Sequence, residues 1–251
     1  MNYRILIVGY GVVGKHIEQE FHNLKPTIYD PLIKDSTYEG HYDFAFICVP
    51  TDHKNGCDTS IVEQSIQNIS ASIYVVKSTV PPGTCAKLGP NVVFSPEHYG
   101  STQHAPTPNF VILGGNRGDT AKVAELYSRV KTGSFRCIFT TLETAELSKY
   151  MLNCYLAMKV TFCAEFNKIA DKIGVAYPEL RELFVADERV GPSHTFVYPD
   201  KPYYDSHCFN KDVPSFLTYL ETIEVSSKLL SAVDRVNSDA KALHANSNSS
   251  H

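Results

Sequence analysis

The chain has no tryptophan, only three methionines, no Cys-x-x-Cys pair and no large charge excess of either sign. It also lacks any apolar run approaching the roughly 20 residues of a membrane-spanning helix, so no membrane partner is expected. Without cysteines at zinc or redox spacing, no metal-ligand set is read. Lys and Arg number 23 against 27 Asp and Glu, a net charge of −4. Gripping nucleic acid calls for a basic field that this balance does not supply, and no nucleic-acid partner is expected. Glycine and proline, 14 each in 251 residues, are too few for a fibrous or low-complexity chain. The short apolar run near Met1 leads into glycines that read as a strand-to-turn transition rather than a signal-peptide cleavage site. Seven scattered cysteines, an odd number, read for the most part as core thiols of a reducing compartment, so a cytoplasmic location is expected.

What is present is an alternation. Strand-like runs at 4–8, 26–29, 43–49, 73–77, 91–94, 109–113 and 135–139 interleave with helical patterns at 14–23, 59–69 and 120–130. That order predicts an α/β protein built on a Rossmann-type, doubly wound parallel sheet. The period changes after Thr140. Leu147, Tyr150, Met151, Cys154, Met158, Phe162, Phe166, Ile169 and Ile173 recur at helical spacing and predict one long helix over 143–174, closed by Gly174. A helix at 177–186, a loop rich in Pro and Tyr at 189–211 and a last helix from about 212 to 245 complete the reading. The expected organisation is a nucleotide-binding domain over 1–141, a helical domain over 142–245 built on the long helix, and a disordered polar tail at 246–251.

Gly9-Tyr10-Gly11-Val12-Val13-Gly14 spells GxGxxG, directly after the strand RILIV and at the start of a helix. In that context the glycines allow a tight turn and close approach of a pyrophosphate to the helix N-terminus. Asp30 ends the next strand, where its carboxylate suits both ribose hydroxyls and repels a 2′-phosphate, favouring NAD over NADP. A flavin also fits such a fingerprint, and the same glycines can simply pack a helix on a strand.

Three other segments end strands, the edge where open α/β sheets bind ligands. They are Val49-Pro50-Thr51, the run from Lys77 through Ser78 and Thr79 to Thr84, and Ser95-Pro96-Glu97. Turn chemistry alone also accounts for their prolines. Lys149 and Asn153 stand four apart on the long helix and share a face, with Ala157 leaving room for a ligand; a solvated polar face is the plainer account. Cys208 lies in His207-Cys208-Phe209-Asn210-Lys211-Asp212, a polar stretch just upstream of a helix start. That setting suits a nucleophile, with an inert cysteine as the alternative.

Taken in order, GYGVVG, the Asp30 strand end, FICVPT, KSTVPPGT, SPEHYG, AELSKYMLNCYLAMKV, DERVG and CFNKD resemble the UDP-glucose/GDP-mannose dehydrogenase family. The resemblance runs from Arg4 to about Asn237. It implies oxidation of the C6 alcohol of a nucleotide sugar, UDP-glucose first, to the carboxylate, with two NAD reduced. Cys208 then corresponds to the nucleophile that carries a thiohemiacetal and a thioester. Lys149 and Asn153 correspond to the oxyanion partners, and Asp212 to an acid that orients water or assists proton transfer. Thr79 and Glu97 correspond to residues that place water, and Arg189 to an arginine reaching the sugar nucleotide, in the family often from a second subunit. The implied cofactor contacts are Gly9 to Gly14, Asp30, Val49, Pro50, Thr51, Ser78, Thr79 and Lys211. The implied assembly is a homodimer through helix 143–174, and the implied product feeds surface polysaccharide synthesis.

Three features depart from the family pattern. The family continues after the last helix into a second nucleotide-binding domain, so a partner chain is expected to supply it, or less protein holds the substrate. The glycine-rich stretch before the cysteine reads here as Tyr203-Tyr204-Asp205-Ser206-His207, which implies a reshaped sugar site or none. Ser101 stands where a second glutamate is expected, four residues after Glu97. Two other readings stay open: a dehydrogenase of another small alcohol, closer to the related β-hydroxyacid enzymes, and a non-catalytic NAD-binding protein.

Overall fold

The structure is a computed structural model that describes residues 3–53, 56–98 and 108–248. Ser101 and the last three residues of the expected tail lie outside the described residues. By their contacts the described residues divide into two units, one of residues up to 149 and one from 150 onward. Among the described residues no helix is long and apolar enough to cross a membrane.

The first unit opens with β1 (Ile5–Val8), α1 (Val12–Phe21), β2 (Thr27–Tyr29) and β3 (His41–Ile47). A small hairpin follows, β4 (Asp52–His53) and β5 (Gly56–Cys57), which no sequence signal announced. Next come α2 (Ser60–Asn68), β6 (Ser70–Val76), α3 (Cys85–Leu88) and β7 (Val92–Phe94). The unit continues through β8 (Phe110–Gly114), α4 (Arg117–Ser128) and β9 (Arg136–Thr140). Seven strands form one sheet in the order β2-β1-β3-β6-β7-β8-β9. The order runs outward in both directions from β1 and β3, the doubly wound arrangement.

The apolar runs are continuous because both sheet faces are covered. Leu6, Ala45, Ile47, Tyr74 and Val76 fill one core, while Ile5, Ile7, Phe44, Phe46, Ile73 and Val75 fill the other. The sheet is not wholly parallel. β8 pairs antiparallel with β7 and then parallel with β9. A parallel neighbour needs a helical crossover. None is present between β7 and β8 among the described residues.

α5 (Leu142–Ile173) is a single helix of 32 residues, and the division between units falls within it after Lys149. It closes at Gly174, whose φ is +75°, with Val175 N–H on the Ala170 carbonyl at 2.9 Å. This is a glycine C-cap of the Schellman kind. α6 (Tyr177–Val185) follows. The expected single last helix is instead two, α7 (His207–Thr222) and α8 (Lys228–Asn248). α7 starts five residues before Asp212 because Ser206 caps it, its hydroxyl accepting the Phe209 N–H at 3.3 Å. Pro214, which suited a helix start, lies inside α7. The break after Thr222 is closed by Glu224 in the left-handed region (φ +57°) and Val225 N–H on Leu220 O. α8 runs to Asn248, into the segment whose small polar residues suggested disorder; a long helix extends its end at little cost per residue. Tyr150, Cys154, Ala157, Tyr204, Phe209, Val213, Phe216 and Val233 form this unit's core.

Candidate active site

At the fingerprint, each glycine has a different reason to be glycine. Gly9 has φ +87°, and a Cβ there would lie 2.6 Å from the Cys48 carbonyl oxygen. A Cβ on Gly14 would lie 2.0 Å from Gly9 O, so α1 seats on the turn only without one. A Cβ on Gly11 would meet nothing within 4 Å. Gly11 is also the N-cap of α1 and lends no side chain to the first-turn N–H groups. The turn thus offers open space in front of uncapped helix donors, which fits a pyrophosphate. Asp30 is held at this turn: its Oδ2 accepts the Tyr10 N–H at 2.7 Å and its Oδ1 the Leu32 N–H at 2.8 Å. Val12 is exposed, while Val49 is buried.

The strand-end segments of this unit interlock. The buried Ser78 hydroxyl donates to Val49 O at 2.6 Å, and the Thr51 hydroxyl donates to Thr79 O at 3.0 Å. Pro50 is exposed between them. Thr79 is half-buried and Glu97, beyond β7, accepts its neighbour His98's N–H on Oε1 at 2.7 Å. The Glu97 backbone carbonyl accepts from Lys149 Nζ at 2.5 Å. Burial, and then the charges of Lys149 and Lys77, push the His98 imidazole down to about 4, so it is neutral at pH 7.

In the second unit, Asn153 Nδ2 donates to Asp212 Oδ2 at 2.5 Å, and Lys211 Nζ donates to Asp212 Oδ1 at 2.6 Å. Asp212 is 1% exposed. Cys208 is one turn before Asp212 on α7, in the first turn of the helix, and it is exposed. It is not in a loop, as the sequence suggested. Burial pushes the Cys48 and Cys154 thiols up to about 12 and raises Cys85, Cys137 and Cys163 as well. Arg189 is exposed and forms a forked pair with Asp187. Its loop is tied to α5 by Lys159 Nζ, which donates to the carbonyls of Val190 and Gly191 at 3.1 and 3.0 Å.

The stretch 203–207 is tied down rather than open. Asn237 of α8 accepts from Tyr204 N and donates to Tyr204 O, at 2.8 and 3.1 Å. Asp205 pairs with Lys201 at 2.9 Å and Lys241 at 3.2 Å. Lys201, then Asn210, hold the Asp205 carboxyl well below the usual carboxylate range. A depressed folded-state value gives stability above the unfolded value near 4 and loses it as pH falls toward the folded one. Asp205 is 38% exposed, so solvent screening keeps the effect small. Asp205→Asn is expected to cost under about 1 kcal/mol at pH 7, and the gap to the parent should narrow below about pH 4 in paired urea titrations.

Two contributors escaped the sequence reading. Glu146 is fully buried and accepts the Gly83 N–H at 2.6 Å and the Cys85 N–H at 2.8 Å, pinning the KSTVPPGT turn to α5. Its signal was present: Glu146, Lys149, Asn153 and Ala157 follow one helical line, which the apolar stripe obscured. Lys77 is the other, a buried charge at the end of an apolar strand.

Residues 143–239 match the UDP-glucose/GDP-mannose dehydrogenase family, central domain. A UDP-glucose 6-dehydrogenase of Rickettsia bellii is 28% identical over 97% of this chain and 59% of its own length. The chain thus spans about three-fifths of that relative. A UDP-glucose dehydrogenase of Pyrobaculum islandicum superposes with a TM-score of 0.78 at 22% identity, over 95% of this chain and 68% of that one. A 3-hydroxyisobutyrate dehydrogenase of Mycobacterium tuberculosis superposes with a TM-score of 0.72 at 15% identity, over 97% of this chain and 95% of that one. At those identities the two structures speak for the fold. The chain is thus similar to the UDP-glucose/GDP-mannose dehydrogenase family, by the central-domain match over residues 143–239 and by relatives such as the Rickettsia bellii enzyme.

Proposed function

We propose that the protein oxidises the C6 alcohol of a nucleotide sugar, UDP-glucose first, to the carboxylate with two NAD reduced. The observation that carries this reading is Cys208, an exposed thiol in the first turn of α7, on the face that also carries Asp212. Bound NAD would supply the hydride acceptor, held by Gly9 to Gly14 with Asp30 toward the ribose. Val49, Pro50, Thr51, Ser78, Thr79 and Lys211 are the other contacts this reading gives it. On the chain's side, Cys208 Sγ adds to the intermediate aldehyde, and the resulting oxyanion needs donors: Lys149 by its ammonium and Asn153 by the amide hydrogen not given to Asp212. Water then cleaves the thioester, with Asp212, Thr79 and Glu97 orienting it and Cys208 leaving as the thiolate. Arg189 faces the substrate's charge. The balance is one alcohol, two NAD and one water giving one carboxylate, two NADH and three protons.

NAD binding has its own test. Gly11→Ala is expected to leave stability within about 0.5 kcal/mol and to weaken NAD binding at least about tenfold. Gly14→Ala is expected to destabilise the fold itself. Calorimetric titration and thermal melts separate the two, and an unweakened Gly11→Ala would remove the cofactor from this turn.

The assembly proposed is a homodimer through α5, whose Met151, Tyr155, Phe162, Phe166, Ile169 and Ile173 form an exposed apolar stripe. Sedimentation at micromolar protein checks it: Phe162→Glu should convert dimer to monomer. A role in polysaccharide synthesis in the cytoplasm follows from the same reading. The deciding experiment is NADH yield from UDP-glucose, UDP-N-acetylmannosamine and GDP-mannose: two NADH per sugar support the proposal. The second reading left open by the sequence, a dehydrogenase of another small alcohol, is separated by the same assay. That reading yields one NADH per alcohol and no dependence on Cys208.

A further inference from the structure

Lys77 is 4% exposed at the end of β6, where the preceding residues Ile73 to Val76 are all apolar or aromatic and buried. Its ammonium lies 3.6 Å from Glu97 Oε2 and donates to the Ser95 hydroxyl at 3.3 Å. Ser95 is fully buried. Burying a lysine is costly, and a buried ion pair is rarely more stabilising than an apolar pair of similar size. An apolar residue at position 77 would serve the sheet as well or better. What the charge does is local. It reaches across from β6 to the segment that leaves β7 and grips that segment twice, at Ser95 and at Glu97.

The same segment touches the candidate site from its other side. Glu97 Oε1 accepts the His98 N–H, which folds the carboxylate back onto its own backbone, and the Glu97 carbonyl takes the Lys149 ammonium at 2.5 Å. Glu97 therefore stands between two lysines, Lys77 on its carboxylate and Lys149 on its carbonyl. Glu20 and Lys131 line the same cavity and pair with each other at 2.5 Å.

We propose that Lys77 is a positioning residue of the candidate active site: its buried ammonium fixes residues 95–98 so that the Glu97 carbonyl holds the Lys149 ammonium in place. The positional claim stands on the geometry above, and its consequence for turnover rests on the oxidation proposed for this chain. Lys77 touches no reacting atom in this assignment. It acts through Glu97 on Lys149, the group given to the oxyanion.

The test is amide hydrogen exchange at His98 in the parent and in Lys77→Met, which keeps the length and removes the charge. Exchange at His98 is expected to quicken at least about tenfold, while amides of β1 and β3 keep their protection. The double variant Lys77→Met/Glu97→Gln removes both charges of the pair, leaves no orphan ion to unfold the domain, and should show the same loosening. Where UDP-glucose is turned over, Lys77→Met should lower kcat by about 10–100-fold with KM and NAD affinity within about threefold, since only the transition-state partner is displaced. Unchanged exchange at His98 in both variants overturns the proposal, as does a loss confined to KM. If the parent turns over no nucleotide sugar, the oxidation reading falls, and the exchange measurement alone still decides for or against Lys77.

Discussion

Cys208→Ala is expected to cut NADH formation from UDP-glucose by roughly 10³-fold or more while leaving the fold and NAD binding intact. The fold is spared because the side chain is exposed in the first turn of α7 and packs in no core; such a substitution moves stability by about 0.5 kcal/mol or less. The activity is lost because Cys208 is the proposed nucleophile, and five of the six other thiols are held protonated. Burial raises Cys48, Cys85, Cys137, Cys154 and Cys163, so each stays a protonated core residue at neutral pH. Cys208→Ser keeps an oxygen of similar shape and should fare little better, since a serine hydroxyl here has no adjacent base among its described hydrogen bonds to take its proton. Stoichiometry makes the experiment selective. Two NADH per sugar in the parent, with none of the acid from Cys208→Ala, supports thioester chemistry. One NADH per alcohol, indifferent to Cys208, supports the other dehydrogenase reading. Binding of NAD with no turnover by either protein supports neither.

The elements that the sequence announced best are those with a single dominant period. The central strands of the main sheet were legible because a strand covered on both faces must be apolar almost throughout, as in ILIV and FAFICV; β9, with Ile138 and Phe139 exposed, was legible only from its apolar and aromatic residue types. The long helix was legible because its repeat persists over 32 residues and ends on a glycine. Less was legible where a local signal competed with another. Pro214 looked like a first-turn proline, yet Ser206 caps the helix earlier and the proline is carried inside it. The antiparallel β8 left no mark, because strand direction is set by the connection and not by the strand's own residues. The fingerprint glycines and Asp30 were legible from spacing, but the Asp30 bonds to Tyr10 and Leu32 N–H groups were not, since backbone donors carry no sequence signature. Lys77 and Glu146 went unread for a shared reason. Each is a charge inside an apolar pattern, and a pattern read for its period passes over the exceptions.

Glu146→Ala is expected to cost more stability than the loss of any other single polar side chain discussed above. The carboxylate lies on α5 with 0% exposure, and both of its oxygens are committed, one to Gly83 N–H and the other to Cys85 N–H. Alanine leaves the buried Cys85 N–H and the part-buried Gly83 N–H without acceptors. At about 1–3 kcal/mol for each orphaned group, and allowing for partial relaxation, the cost should be about 2–4 kcal/mol. In a chain of this size that lowers the melting temperature by roughly 5–12 °C. Glutamine is the informative control. It has nearly the same shape, but one of its two terminal atoms is an NH₂ that would face a backbone N–H, donor against donor. It should therefore recover less than half of the loss, whereas a residue needed only for volume would be fully replaced by glutamine. Burial raises the Glu146 carboxyl, while the Cys85 and Gly83 N–H groups pull it the other way. The same two bonds hold the turn that carries Ser78 and Thr79, so Glu146→Ala should weaken NAD binding along with the melt. Urea titration and NAD calorimetry on the three proteins check both effects. A glutamine variant as stable as the parent would mean that packing, and not the pair of accepted hydrogen bonds, holds the KSTVPPGT turn on α5.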